Sequence, residues 1–299
     1  MFLFNHSEIT PLNPVIFNLF GLEVRWYGFL IGTGAALALA LGLYNSKKLG
    51  INRDKLIDGF LYGVIIGIIG ARLWYVAFEW GQFKNDLPSI IGIQKNGSFY
   101  LSGLAIHGAV LFASVFAYFF CKKNKITFYK IFEILAPGFL IGQIFGRWGN
   151  FFNQEAHGGI VPGATLDAQR QWLSFLPDFI TNQMYITNIS KVAPQVGYYH
   201  PTFLYESFWN LIGLGIILLM RKFVKKYWIG DAAIFYLIWY GVGRFFIEGL
   251  RTDPLMVGPI RAAQLTSVIM IVGGVVLFIL RRLYKVYPVS YMDYVAEVE

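Results

Sequence analysis

The chain has 299 residues, 56% hydrophobic and only 14% charged, with a mean hydropathy of +0.54. A soluble domain sits nearer about 45–50% apolar and about 25% charged, so the composition excludes an ordinary soluble protein and predicts a polytopic membrane protein. The net charge of +8 does not call for nucleic acid, because basic loops beside apolar spans explain it through membrane topology.

Residues 1–24 mix Asn, Pro and Phe, lack a basic leader and carry Pro11 and Pro14. They read as an interfacial arm, neither a span nor a cleaved signal peptide. Apolar runs near the roughly 20 residues that cross a bilayer predict span one at 26–44, span two at 56–78, span three at 101–120 and span four at 128–145. Cys121, the one cysteine, lies at the end of span three beside Lys122 and Lys123; it excludes an intramolecular disulfide and a cysteine-based metal cluster. A polar section from 150 to 199 follows, with Pro162, Pro177 and Pro194 and many Asn, Gln and Thr. Spans five, six and seven are predicted at 203–220, 232–247 and 262–280. The expected organisation is an arm (1–24), four spans (25–149), an external head (150–200), three spans (201–285) and a cytoplasmic tail (286–299).

The loops predict the orientation. Lys47, Lys48, Arg53 and Lys55 lie between spans one and two, and Lys122, Lys123 and Lys125 between three and four. Arg221, Lys222, Lys225 and Lys226 lie between five and six, and Arg281, Arg282 and Lys285 follow span seven. With seven spans all four clusters fall on one side, which the positive-inside rule makes cytoplasmic. The expected fold is therefore all-α, with seven transmembrane helices, the N-terminus and a small head outside, and the C-terminus in the cytoplasm.

Charges inside apolar spans are costly and mark function by default. Arg72 lies in the outer half of span two, and Arg147 at the outer end of span four. His107 falls about seven residues into span three, roughly 10 Å deep at about 1.5 Å per residue. It is a chemical participant or a hydrogen-bonded packing residue. Tyr240, Arg244, Glu248 and Arg251 are spaced i, i+4, i+8 and i+11 on one face of span six. Glu248 can hold both arginines, and two guanidiniums with Arg147 suit a phosphate through bidentate contacts. The alternative for Arg244 and Glu248 is a buried structural ion pair. His157, His200 and Glu206 stay ambiguous, Trp26 reads as an aromatic anchor, and no metal-ligand spacing, GxSxG elbow or phosphate loop occurs.

Where span four ends, Gly146-Arg147-Trp148-Gly149-Asn150-Phe151-Phe152-Asn153-Gln154-Glu155-Ala156-His157-Gly158 gathers a cation, amides, a carboxylate and glycines. Gly146 and Gly149 allow close backbone approach, Asn150 and Asn153 supply amides, and Glu155 can orient Arg147 or act as a base. The plainer reading is a glycine-rich turn capping span four. From the residues alone, the chain carries an outward-facing, arginine-rich site for an anionic lipid or solute. A transporter or anion channel would need midplane polar residues and repeated halves, which the sequence does not display. A non-catalytic lipid-binding scaffold stays open at this stage.

The same stretch resembles the signature of the bacterial prolipoprotein diacylglyceryl transferase family, G-R-x-[GA]-N-F-hydrophobic-N-x-E-x-x-G, at every fixed position. Arg25-Trp26-Tyr27-Gly28, Leu104-Ala105-Ile106-His107-Gly108, His200-Pro201-Thr202 with Leu204-Tyr205-Glu206, and Tyr240-Gly241 with Arg244-Phe245-Phe246-Ile247-Glu248 and Arg251 also match, so the likeness covers nearly the whole chain. The resemblance implies transfer of the sn-1,2-diacylglyceryl group of phosphatidylglycerol to the lipobox cysteine of preprolipoprotein signal peptides, with glycerol phosphate released, in the bacterial cytoplasmic membrane. It implies His107, Arg147 and Arg244 as catalytic residues. Tyr27, Asn150, Glu155, Gly158, Tyr240, Glu248 and Arg251 would bind or position substrate. No cofactor or metal is expected, because the phospholipid carries its own leaving group. The partners expected are the lipid, the signal peptide and the bilayer, and no nucleic acid.

Overall fold

The computed structural model describes residues 5–19, 22–93, 103–190, 192–252 and 254–298. Among these, seven helices are long and apolar enough to cross a membrane: Trp26–Lys48, Arg53–Phe78, Ile106–Asn124, Phe128–Phe152, Thr202–Phe223, Asp231–Leu250 and Ala262–Leu283, spans one to seven in order. The all-α polytopic class expected from the apolar runs is what the chain adopts.

Local chemistry sets several ends. Asn52 caps span two by accepting from Lys55 N at 3.1 Å. Span three closes on Lys125 in the left-handed conformation. Two expectations are corrected. Span four does not stop near 145: Gly146 to Phe152 stay helical, so Arg147 and Asn150 stand on one face of a continuous helix. Span three starts at Ile106, not near Leu101, which lies outside the described residues. Gly103 takes a φ of +75° and Ala105 is extended, so the helix cannot begin earlier among the residues seen. His107 is thus in the first turn of span three and exposed, not seven residues deep.

The chain divides into two compact units, one of residues up to Leu41 with Phe132–Glu297, the other of Gly42–Ile131. In the second, spans two and three pack where glycines remove side chains: a Cβ on Gly59 would stand 2.9 Å from Phe120 Cε1. Arg72, expected among the functional cations, is buried there as an organiser. It donates to the carbonyls of Ile90 at 2.8 Å, Ser89 at 2.5 Å and Gly103 at 3.2 Å.

In the first unit, spans five and six are clasped by Trp209 and Trp239. The rings stack at 4.2 Å, and each indole donates to the other's backbone carbonyl, at 2.9 and 3.0 Å. Gly213 and Gly243 make room, since a Cβ on either would run into the opposing indole. At the end of this unit away from span four's Arg147, the fully buried Glu133 of span four accepts from Arg221 Nε at 2.7 Å, Tyr227 Oη at 2.6 Å and Gly230 N at 2.7 Å. Asp231 likewise holds Arg281 at 2.7 Å and Arg282 at 2.5 Å. Arg221, Arg281 and Arg282 therefore serve as ties as well as basic loop charges. Removing one partner of a buried pair costs about 3–5 kcal/mol. Glu133→Ala is expected to lower the unfolding midpoint of the detergent-solubilised protein by many degrees, whereas Lys222→Ala, on an exposed side chain, should leave it unchanged.

The section between spans four and five has its own core. Phe151, Val161, Leu173, Ile180, Met184, Tyr198 and Phe203 are buried together beneath two short helices, Leu166–Trp172 and Asp178–Gln183, and the paired strands Tyr185–Ile186 and Gly197–Tyr198. The N-terminal arm is a hairpin of Val15–Leu19 and Leu22–Arg25. Ahead of the hairpin, His6 reaches the head, 2.9 Å from Asp167 Oδ1 and 3.0 Å from Tyr198 Oη. Trp26 stacks on Phe152 at 4.6 Å, which fixes the first turn of span one against the end of span four.

Candidate active site

The last turns of span four present Arg147 and Asn150 at i, i+3, and the chain then reverses. Gln154 and Ala156 adopt φ of +51° and +55°, unfavourable for non-glycine residues. Cross-links hold the reversal. Gln154 Nε2 donates to Gln183 O at 2.8 Å, and Thr202 Oγ1 donates to Ala156 O at 2.6 Å. This returns Glu155 to the helix, where its Oε1 accepts from Asn150 Nδ2 at 2.9 Å and Asn153 Nδ2 at 3.3 Å. Asn150 Oδ1 in turn accepts from Arg147 Nη1 at 3.1 Å. Glu155 therefore reaches Arg147 through Asn150, a relay that orients the guanidinium.

The other edge of Arg147 meets Glu206, whose Oε1 lies 2.7 Å from Nη2 as an ion pair short of an aligned hydrogen bond. The second oxygen of Glu206 accepts from Arg244 Nη1 at 3.2 Å, and Arg244 Nη2 donates to Glu248 at 2.6 Å. Glu206 and Glu248 are both buried, each 2% exposed. One carboxylate from span five thus joins the arginines of spans four and six. Two carboxylates balance two cations here, so the site is a preorganised ion network instead of the bare cationic patch that span six alone suggested. A guanidinium fork carries more N–H donors than these contacts use, which leaves donors for an oxyanion. Tyr240 lies against the Arg147 and Arg244 guanidiniums and stacks on Tyr236 at 5.5 Å. Tyr27 fits the flat face left by Gly149, where a Cβ would stand 2.7 Å from its ring. Its phenol is within electrostatic reach of Glu155 and Arg147.

Gly158 acts through its backbone. It bridges to Arg251, its N–H donates to His200 O at 2.9 Å, and a Cβ would meet His200 Cβ at 2.7 Å. Only glycine lets the reversing loop pass between the end of span six and the entry to span five, which fixes the main chain of Arg251. Arg261 donates to the backbone carbonyl of Glu248 and to that of Arg251, a tie no spacing in the sequence announced.

His157 is buried, holds Gly158 O at 2.9 Å through Nδ1 and packs on Tyr199, so it shapes the turn. His200 packs on Trp172 and sits 3.2 Å from Tyr205 Oη, and burial lowers its pKa, which keeps the ring neutral near pH 7. Glu206 is the residue that sequence reasoning left unassigned. A carboxylate in an otherwise apolar helix was its signal; the bridging role depends on how three helices pack. Of the expected residues, the structure gathers Arg147, Asn150, Glu155, Tyr27, Tyr240, Arg244 and Glu248, with Gly158 and Arg251 at the rim. His107 belongs to the other unit. Among the described residues, no three His, Cys, Asp or Glu side chains are grouped to hold a metal ion.

The family model described as prolipoprotein diacylglyceryl transferase matches residues 14–280. A protein of Bacillus cereus, named phosphatidylglycerol–prolipoprotein diacylglyceryl transferase, is 44% identical over 92% of this chain and 94% of its own. One of the same name from Bacillus velezensis is 43% identical over 95% and 97%. A third, from Bacillus mycoides, is 44% identical over 92% and 94%.

Proposed function

The chain belongs to the prolipoprotein diacylglyceryl transferase family, and with that membership as premise we propose how its own residues perform the transfer. It is a membrane transferase that moves the diacylglyceryl group of phosphatidylglycerol to a prolipoprotein. The acceptor is the thiol of a lipobox cysteine in the signal peptide. The enzyme works in the bacterial cytoplasmic membrane with its N-terminus and head outside and its basic loops in the cytoplasm.

The observation that carries the assignment is the Glu206 bridge between Arg147 and Arg244. It holds two guanidiniums at one place, oriented before any ligand arrives. The thiolate sulfur attacks the glyceryl carbon that bears the phosphate. A carbon–sulfur bond forms, the carbon–oxygen bond breaks, and glycerol phosphate leaves with the electron pair. Charge grows on the departing oxygen, and donors already aimed there stabilise the transition state more than the ground state. The thiol, with a pKa of about 8.5, is only a few per cent ionised at neutral pH; His107 takes its proton. Tyr27, Tyr240, Asn150 and Glu155 position the head group and Arg147, Glu248 fixes Arg244, and Gly158 and Arg251 shape the rim.

Glu206→Gln keeps the shape of the bridge and removes its charge. Both arginines then lose their shared carboxylate partner, and the hydrogen bond from Arg244 is left with a neutral acceptor. The turnover of phosphatidylglycerol with a lipobox peptide is expected to fall about ten- to a hundredfold, given about 1.5–3 kcal/mol for a charge-assisted bond. A wild-type rate in a variant that unfolds at the wild-type temperature would remove Glu206 from the machinery.

A further inference from the structure

One helical turn inward from the arginines lies a second polar layer that the transfer chemistry does not use. Gln143 precedes Arg147 by four residues on span four, which puts it about 6 Å deeper. Its Nε2 donates to Tyr236 Oη at 2.8 Å, and Tyr236 stacks under Tyr240 with 3° between the rings. On span five, Asn210 follows Glu206 by four residues on the same buried face. Asn210 is fully buried, and neither its Oδ1 nor its Nδ2 has a hydrogen-bond partner among the described residues; Gln143 Oε1 is shielded and unpartnered as well. Leaving a buried amide unsatisfied is costly, and native proteins keep such groups where something else satisfies them. The layer is neutral, so its ligand is a neutral hydrogen-bonding group and not a second phosphate.

We propose that Asn210 and Tyr236, the latter oriented by Gln143, form a subsite for the ester carbonyls of the diacylglyceryl group. The inference rests on the reading above, that Arg147 and Arg244 hold the phosphate. In a glycerophospholipid the ester carbonyls lie a few bonds from the phosphate on the acyl side, so with the phosphate on the arginines they fall toward this inner layer. Asn210 Nδ2 and the Tyr236 hydroxyl hydrogen are donors suited to carbonyl oxygens, and an ether-linked chain offers no carbonyl to receive them. Asn210 and Tyr236 thereby select diester lipid and set the depth of the reacting carbon.

The test compares dioleoyl phosphatidylglycerol with its dialkyl ether analogue, using the whole protein in mixed micelles and a lipobox peptide. Wild type is expected to favour the diester in kcat/KM by about tenfold or more, the size of one or two hydrogen bonds. In Asn210→Leu and in Tyr236→Phe that ratio is expected to fall toward one. Equal use of both lipids by wild type, or variants that slow while the ratio stays at its wild-type value, would overturn the subsite. Tyr236→Phe keeps the ring stack, so the test survives if Asn210→Leu does not fold. Absence of lipidated peptide from either lipid would count against the transferase reading itself, a result distinct from equal turnover of both.

Discussion

Arg244→Ala is expected to slow diacylglyceryl transfer by about a hundred- to a thousandfold, the effect of removing one preorganised donor from an oxyanion site. Arg147→Ala should do the same. The reasoning is geometric. Arg147 and Arg244 are anchored by Asn150, Glu206 and Glu248. A phosphate bound there would meet donors whose orientation is already fixed, and little reorganisation would accompany bond breaking. An alanine at 244 also strands Glu206 and Glu248, so stability falls as well. Arg244→Lys separates the two effects, because it keeps the charge and removes the planar fork. Rates measured beside unfolding midpoints should show the lysine variant folded and still slowed by more than tenfold. The double alanine variant should be little worse than either single one, since groups that act as a unit are not additive. Full activity in both alanine variants would refute the assigned roles.

His107→Gln is expected to lower the rate at pH 7 by about a hundredfold or more, the range of general base catalysis. Its pH dependence separates a base from a packing residue. Above the thiol pKa of about 8.5 the acceptor ionises without help. The deficit of His107→Gln relative to wild type should then shrink between pH 7 and pH 9.5. A packing defect would give a constant ratio across that range. His107 is exposed in the first turn of span three, beside the buried Gly108.

The spans were legible because their signal is long and one-dimensional. Seven apolar runs closed by basic residues set helix number and class, and the helices follow those runs, apart from the later start of span three and the longer course of span four. Signature residues on span four and the i, i+4, i+8 row on span six were legible for the same reason, since each lies on one helix. What stayed hidden depends on contacts between helices. Glu206 had no partner in its own span, and its two arginines come from neighbours. Glu133 escaped notice in an apolar run, although four groups converge on it: Arg221, Tyr227, Gly230 and Ala232. Arg72 looked functional by charge alone, yet carbonyls of its own unit take up its donors. The helical course of Gly146–Phe152 was obscured by its glycines, which do not end the helix; Gly149 serves the close approach of Tyr27, whereas a Cβ on Gly146 would meet nothing within 4 Å, against the close approach expected there.

The most direct test of the central claim uses the purified protein, phosphatidylglycerol and a cysteine-bearing lipobox peptide, with both products weighed by mass spectrometry. The expected result is a peptide heavier by one diacylglyceryl group on the cysteine and one glycerol phosphate released for each, with neither product formed by Arg244→Lys at a comparable rate. A folded wild-type protein that binds the lipid yet yields no thioether-linked peptide would contradict it.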